Sequence, residues 1–165
     1  ICLEAINWMK RISDFLLKGF VITIDYGYPA YELYAPHRKR GTLLAYHHHR
    51  AKEEVFANVG EQDLTAHVNF TALALWGRDY GLELTGFTDQ LGFFLGLGIS
   101  EVLEEMNGSD LISHIAMVQS AKELFMPGGM GEVFKVLVQH RGIPSPRLKG
   151  LSMKPYRRWK IDLYR

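Results

Sequence analysis

Cysteine is almost missing from this chain. The single Cys2 excludes an internal disulfide framework and any four-cysteine zinc site. Net charge is missing too: nineteen basic residues against eighteen acidic ones leave +1, so nothing argues for nucleic-acid binding by the chain as a whole. No apolar run approaches the roughly 20 residues of a membrane-spanning helix. No signal-peptide pattern, Gly-x-Gly-x-x-Gly, phosphate loop or Gly-x-Ser-x-Gly elbow occurs. Internal repeats and low-complexity tracts are absent as well. What is present is 165 residues of ordinary globular composition, enough for one domain or one large piece of one.

Leu3, Ile6, Met9, Ile12 and Leu16 recur at helical spacing, with Glu4, Lys10, Arg11 and Asp14 opposite, which predicts an amphipathic helix. Gly19 is expected to close it in the left-handed position. Residues 20–24 form a β-branched run that predicts a strand buried on both faces, with Asp25-Tyr26-Gly27 at its end. A helix feeding such a strand is the second half of a βαβ unit whose first strand is not in this chain. The chain also opens at Ile1, without an initiator methionine and inside a helical pattern. Both features lead to the expectation of a truncated N-terminus.

From Tyr28 to about Val68 the pattern is irregular, with a short strand predicted over 42–46 and alternation over 63–68. Loops of this length usually carry function. Asn69 reads as the N-cap of a helix over 70–80 that Gly81 stops. A strand over 82–87, an apolar helix over 89–98, helix over 103–124 broken at Asn107-Gly108, a turn at Pro127-Gly128-Gly129 and a last strand over 133–139 complete the chain. The first and second of these three longer strands, with the helix between them, form a plausible right-handed crossover. After Gly142 the tail is basic, with Arg147, Lys149, Lys154, Arg157, Arg158, Lys160 and Arg165 against Asp162 alone. It is expected to be solvated and frayed; Tyr156 and Trp159 among its charges leave RNA contact as the other reading.

Several residues suit chemistry. Ligands of open α/β sheets bind at the carboxyl ends of strands, so Asp25 could orient a cationic substrate while Gly27 keeps the backbone open. Equally, Asp25 could cap a turn. His47 and His49 would share a face if extended, but the spacing matches no zinc pattern, and no metal is expected. Asp63, Thr65 and His67 share one face if extended. His67 then reads as a general base oriented by a carboxylate, or the three residues simply pin a loop. The glycines at 92, 96 and 98 lack the preceding strand of a phosphate motif and suit a close-packed helix ending.

Taken together and in order, several segments resemble one family. They are Gly19 to Gly27, Arg40-Gly41-Thr42-Leu43 with Tyr46 and His49, Gly60 to Thr71, Gly86-Phe87-Thr88 with Gln90, and Met130 to Val136. The order and spacing are similar to the C-terminal half of the MidA-like family of S-adenosylmethionine-dependent methyltransferases, over about residues 3–143. The chain departs from that pattern at Asn69, where the family usually has aspartate, at Val59, where it has proline, and at Asp89, where it has threonine.

The resemblance implies an α/β fold: the C-terminal half of a Rossmann-like, seven-stranded methyltransferase sheet, with strands five, six and seven over 20–25, 82–87 and 133–139. The seventh would run antiparallel between the other two. It implies S-adenosylmethionine as cofactor, bound mainly by a glycine-rich loop and an acidic residue upstream of Ile1. Mitochondrial members of the family are assembly factors for respiratory complex I, taken to methylate an arginine of one of its subunits. The expected reaction is therefore methyl transfer to protein arginine, with residues 1–143 as the substrate-side part of the domain and 144–165 as a basic tail. Asp25, Tyr26, Asp63 and His67 are the expected catalytic residues, and Gly27, Arg40, Gly41, Thr42, Thr65 and Gln90 the expected substrate-binding ones. The expected location is the cytoplasm of a bacterium or the mitochondrial matrix of a eukaryote. The alternative is a non-catalytic module that docks a partner protein through its loops and tail.

Overall fold

The structure, a computed structural model, describes residues 2–105, 111–125, 128–153 and 159–163. In chain order its first elements are α1 (Leu3–Phe15), β1 (Gly19–Tyr28), α2 (Ala30–Leu33), β2 (Leu44–His47), β3 (Arg50–Lys52), β4 (Asp63–Thr65) and β5 (Val68–Asn69). Then follow α3 (Phe70–Asp79), β6 (Glu83–Asp89), α4 (Gln90–Leu97), α5 (Ile99–Glu105), α6 (Leu111–Phe125), α7 (Met130–Val133) and β7 (Phe134–Arg141), with a 3-10 turn at Lys149–Leu151. The helix break expected at Asn107-Gly108 lies outside the described residues.

The main sheet has the order β5-β1-β7-β6, and a second, three-stranded sheet has the order β3-β2-β4. β7 runs antiparallel to both β1 and β6, so the last strand is central, as expected. β1 is longer than its β-branched core. Its pairing with β7 continues through Asp25↔Lys135 and Tyr26↔Phe134, and Gly27 and Tyr28 pair in parallel with Val68 and Asn69 of β5. Asp25 therefore lies inside a strand rather than at its end, because β7 supplies ladder partners past the last isoleucine.

The strand is also not buried on both faces. Met9 of α1, Phe70, Leu73 and Ala74 of α3, Leu82, and Leu137 of β7 form the core on one face, with Val21 and Leu84 packed against it. Burying each such large side chain contributes about 1.5–3 kcal/mol. On the other face α4 and the 3-10 turn cover β6 and β7, where Val136 and Val138 are fully buried. Their register partners Ile24 and Ile22 stay 48% and 50% exposed, so this cover stops short of β1.

Local signals explain the helix ends. Asn69 Oδ1 accepts from Ala72 N at 3.0 Å, and Asp89 Oδ1 accepts from Gly92 N at 2.7 Å. Such caps are each worth about 1 kcal/mol. Gly98, at φ 87°, ends α4, and Gly96 packs on the backbone of Lys149 and Gly150, the close-packed helix ending expected from the glycines. Gly19 does not cap α1: the chain turns extended at Leu16, and Gly19, at φ 148°, opens β1 instead.

The tail is not frayed where it is described. Ile161 and Leu163 pack against the core, and Arg78 donates to the Leu163 carbonyl at 2.7 Å. Two apolar residues at alternate positions give the tail an anchor that its charges obscure in sequence. Among the described residues, no helix is long and apolar enough to cross a membrane.

Candidate functional site

The small sheet stands beside the carboxyl end of β1, and a cavity of about 720 Å³ lies between them. One face of the small sheet builds its wall. Leu44 pairs with Thr65 and Tyr46 with Asp63 in the β2–β4 ladder, and all four line the cavity. Residues directly opposite on an antiparallel pair share a face, which is why these come together. Tyr26, Thr42, His48, His49, Gly60, Glu61, Gln62, His67 and Val133 complete the lining.

Hydrogen bonds tie the two sheets at this point. The Tyr26 and Thr65 hydroxyls share a hydrogen bond, and His67 N donates to Thr42 Oγ1 at 3.1 Å. The His67 ring is packed edge-on to Tyr26 and Tyr28, at centroid distances of 5.6 and 5.1 Å. Tyr28 in turn carries the Arg38 guanidinium 4.2 Å over its ring, and Lys135 Nζ lies 5.6 Å from the same ring. Burial first, and then the positive charges of Arg38 and Lys135, hold the His67 imidazole below its ordinary pKa. His67 is thus a neutral imidazole at pH 7.

Among the described residues, Gln62 Oε1 and His67 Nδ1 of this lining are buried without a hydrogen-bond partner. Gln62 Nε2 donates one hydrogen bond, to the Val55 carbonyl, and its Oε1 keeps its acceptor capacity. With the carboxylates of Glu61 and Asp63 in the same lining, the wall is rich in acceptors. A ligand that only donates hydrogen bonds fits such a wall best.

Of the residues expected to form the site, the fold brings together Tyr26, Thr42, Asp63, Thr65 and His67 around one cavity. The alternation of Asp63, Thr65 and His67 holds, although β4 and β5 belong to different sheets. Asp25, Gly27, Arg40, Gly41 and Gln90 do not line it. Asp25 sits on the face of β1 opposite Tyr26 and accepts from Tyr26 N at 2.7 Å. Gly27 is packed against the Val68 backbone, so its missing side chain serves strand approach. Arg40 pairs with Glu53 on the surface, and Gln90 is buried, donating to the Leu124 carbonyl at 2.6 Å. Gly41, at φ 73°, turns the chain just ahead of Thr42.

Sequence reasoning passed over Glu61, Gln62 and Val133. For Glu61 a signal existed, a carboxylate two positions ahead of Asp63, in the turn that leads into β4; Val133 has none, because α7 brings it in from a distant part of the chain. His47 and His49 do not share a strand face: His48 and His49 are the turn of a hairpin between β2 and β3. No cluster of three or more metal-ligating side chains occurs among the described residues.

A family model described as "Putative S-adenosyl-L-methionine-dependent methyltransferase" matches residues 1–88, over half the chain. Two solved structures from Burkholderia thailandensis are similar to it at 35% identity and a TM-score of 0.83, each over 89% of this chain. One is an uncharacterized superfamily protein; the other is a superfamily member bound to S-adenosyl-homocysteine. This chain spans 39% and 38% of their lengths. No curated protein matches it.

Proposed function

The chain belongs to the S-adenosylmethionine-dependent methyltransferase family, and from that premise we propose that the cavity between its two sheets receives the methyl acceptor, a guanidinium on a protein side chain. The observation that carries the reading is the acceptor-rich wall. Asp63 and Glu61 supply its carboxylates, with Gln62 and His67 in the same lining. A guanidinium has five N–H donors and no acceptor, and its flat fork matches a carboxylate in two parallel hydrogen bonds.

S-adenosylmethionine, the family's cofactor, supplies an electrophilic methyl group when bound. The residues described here do not by themselves fit the whole cofactor. Gly27 is closed against Val68, and Gly128 and Gly129 border only a cavity of about 190 Å³ beside Tyr28 and Lys135. We assign to this chain the acceptor side of the site and to chain outside it the cofactor side. On the acceptor side Asp63 holds the guanidinium and takes up the proton released as the nitrogen is methylated. Thr65 and Tyr26 lock the strand that carries Asp63, and Thr42 fixes the backbone at His67. Neutral His67 accepts a hydrogen bond without adding a positive charge beside a cationic acceptor. Alignment of this kind is the main thing a methyl transfer asks of the protein. The proposed acceptor is a protein, and the family resemblance is what puts a respiratory-complex subunit among the candidates.

The test has two arms. An arginine peptide titrated into this chain should shift NMR signals of Glu61 to His67, while S-adenosylmethionine should not bind measurably. In a protein that joins this chain to a cofactor-binding half, transfer of labelled methyl to arginine peptides should exceed transfer to lysine peptides. Micromolar cofactor binding by this chain alone rejects the division of labour, and preference for lysine rejects the guanidinium.

A further inference from the structure

The hairpin between β2 and β3 is closed by His48 and His49, with His47 paired to Arg50. Both turn residues adopt left-handed backbone, φ 49° at His48 and 61° at His49. A two-residue hairpin turn with positive φ at both positions strongly prefers Asn-Gly, since a Cβ is crowded by the following carbonyl oxygen there. Two consecutive histidines therefore make a poor turn sequence on structural grounds. Strained backbone of this sort clusters at functional sites.

The placement of the turn suggests that use. Leu44 and Tyr46 present one face of β2 to the cavity, and His48 continues the same alternation beyond the point where β4 stops. His49 lines the cavity with it, and His47, on the other face, braces the His48 ring at 4.1 Å between centroids. The imidazoles thus extend the wall that carries Asp63 and Tyr46 outward toward solvent, where the chain on either side of a side chain held at Asp63 must pass. An imidazole either donates or accepts a hydrogen bond, which suits it to peptide backbone.

We propose that the His48–His49 turn is a specificity element that contacts the peptide flanking the acceptor side chain. The proposal rests on the reading of the cavity as the acceptor site. It goes beyond that reading by assigning the recognition of acceptor context to a turn that neither the hydrophobic pattern nor any metal chemistry explains.

The experiment is the double variant His48→Asn/His49→Gly, with His49→Gly alone beside it. Asn-Gly is the preferred sequence for this turn, so a purely structural role predicts an equal or higher Tm and unchanged peptide affinity. The expected result is an equal or higher Tm together with weaker binding of the acetylated, amidated peptide Gly-Arg-Gly. Each lost contact should weaken binding about 3- to 10-fold. Free arginine, which has no flanking peptide, should bind both forms alike. Equal peptide affinity in both forms overturns the role of the turn and leaves the acceptor site standing. Failure of the unaltered chain to bind either probe overturns the acceptor site, and the turn proposal with it.

Discussion

The hydroxyl of Tyr26, on β1 of the main sheet, shares a hydrogen bond with the hydroxyl of Thr65, on β4 of the small one. The two residues are 39 apart in sequence, and their strands have no ladder between them. This bond is therefore a direct tie between the two sheets at the floor of the cavity. It fixes the strand that carries Asp63 relative to the strand that carries the aromatic wall.

Tyr26→Phe removes that tie and keeps the ring, with its edge-on contacts to His67 and Phe134. The expected loss is about 0.5–1.5 kcal/mol, the net worth of one neutral hydrogen bond. Urea unfolding measures it. A loss well above that range would show that the ring had moved, and acceptor affinity should fall with the looser placement of Asp63.

His67 gives a pH dependence with a definite sign. Its folded pKa is lowered from 6.5 by burial and by the charges of Arg38 and Lys135, so the unfolded chain binds the proton more readily. Stability from keeping this ring neutral is complete above pH 6.5 and is lost as the pH falls below it, through the folded value. The groups facing the ring are Tyr26 and Tyr28 from β1, Arg38 from the segment after α2, and Lys135 from β7. His67→Gln should flatten the fall in Tm between pH 6.5 and 5 relative to the unaltered chain. Identical slopes would remove His67 from the acid limb.

The central β7 was legible because its β-branched run and its place after the crossover leave few sheets it can join. Asn69 and Gly81 announced the ends of α3, since a capping side chain and a left-handed glycine are local chemistry. The small sheet was only half legible. Arg50-Ala51-Lys52 has no strand signal and becomes β3 only because β2 offers it a ladder, and His48-His49 has none of the residues that mark a tight turn. The reach of β1 to Tyr28 was hidden for a similar reason, because its last residues pair with β7 and β5 rather than follow an apolar alternation. Within the site, alternation from Asp63 to His67 was enough to group three side chains. Only the fold could separate Asp25 from Tyr26, which adjoin in sequence and face opposite sides of the sheet.

Gly27 tests whether a residue expected to bind substrate is structural instead. A Cβ there would come within 2.7 Å of Val68 N and 2.9 Å of Val68 C, backbone atoms that cannot rotate away. Gly27→Ala should cost about 1–3 kcal/mol or more, as overpacking does, and should separate β5 from β1. Hydrogen exchange at Val68 and Asn69 would report it. Normal stability with weakened acceptor binding would restore Gly27 to the site.

The sharpest comparison is between Asp63 and Asp25. Asp63 lines the cavity on an exposed edge of the small sheet, whereas Asp25 lies inside β1 on the face away from the cavity. Asparagine has nearly the shape of aspartate and still accepts a hydrogen bond, so each substitution removes a charge and little else. If Asp63 holds the guanidinium, Asp63→Asn forfeits a charge-assisted hydrogen bond of about 1.5–3 kcal/mol. At about 1.4 kcal/mol per decade, methyl transfer by a protein that joins this chain to a cofactor-binding half should fall on the order of ten- to a hundred-fold. Tm should barely change, because the Asp63 side chain is exposed. Asp25→Asn should leave acceptor affinity in this chain unchanged, since its carboxylate does not reach the cavity. Turnover and acceptor affinity measured for both variants decide between them. A drop in both quantities for Asp25→Asn with none for Asp63→Asn would move the functional carboxylate to the other face of β1 and reject the cavity as the place where the acceptor is held.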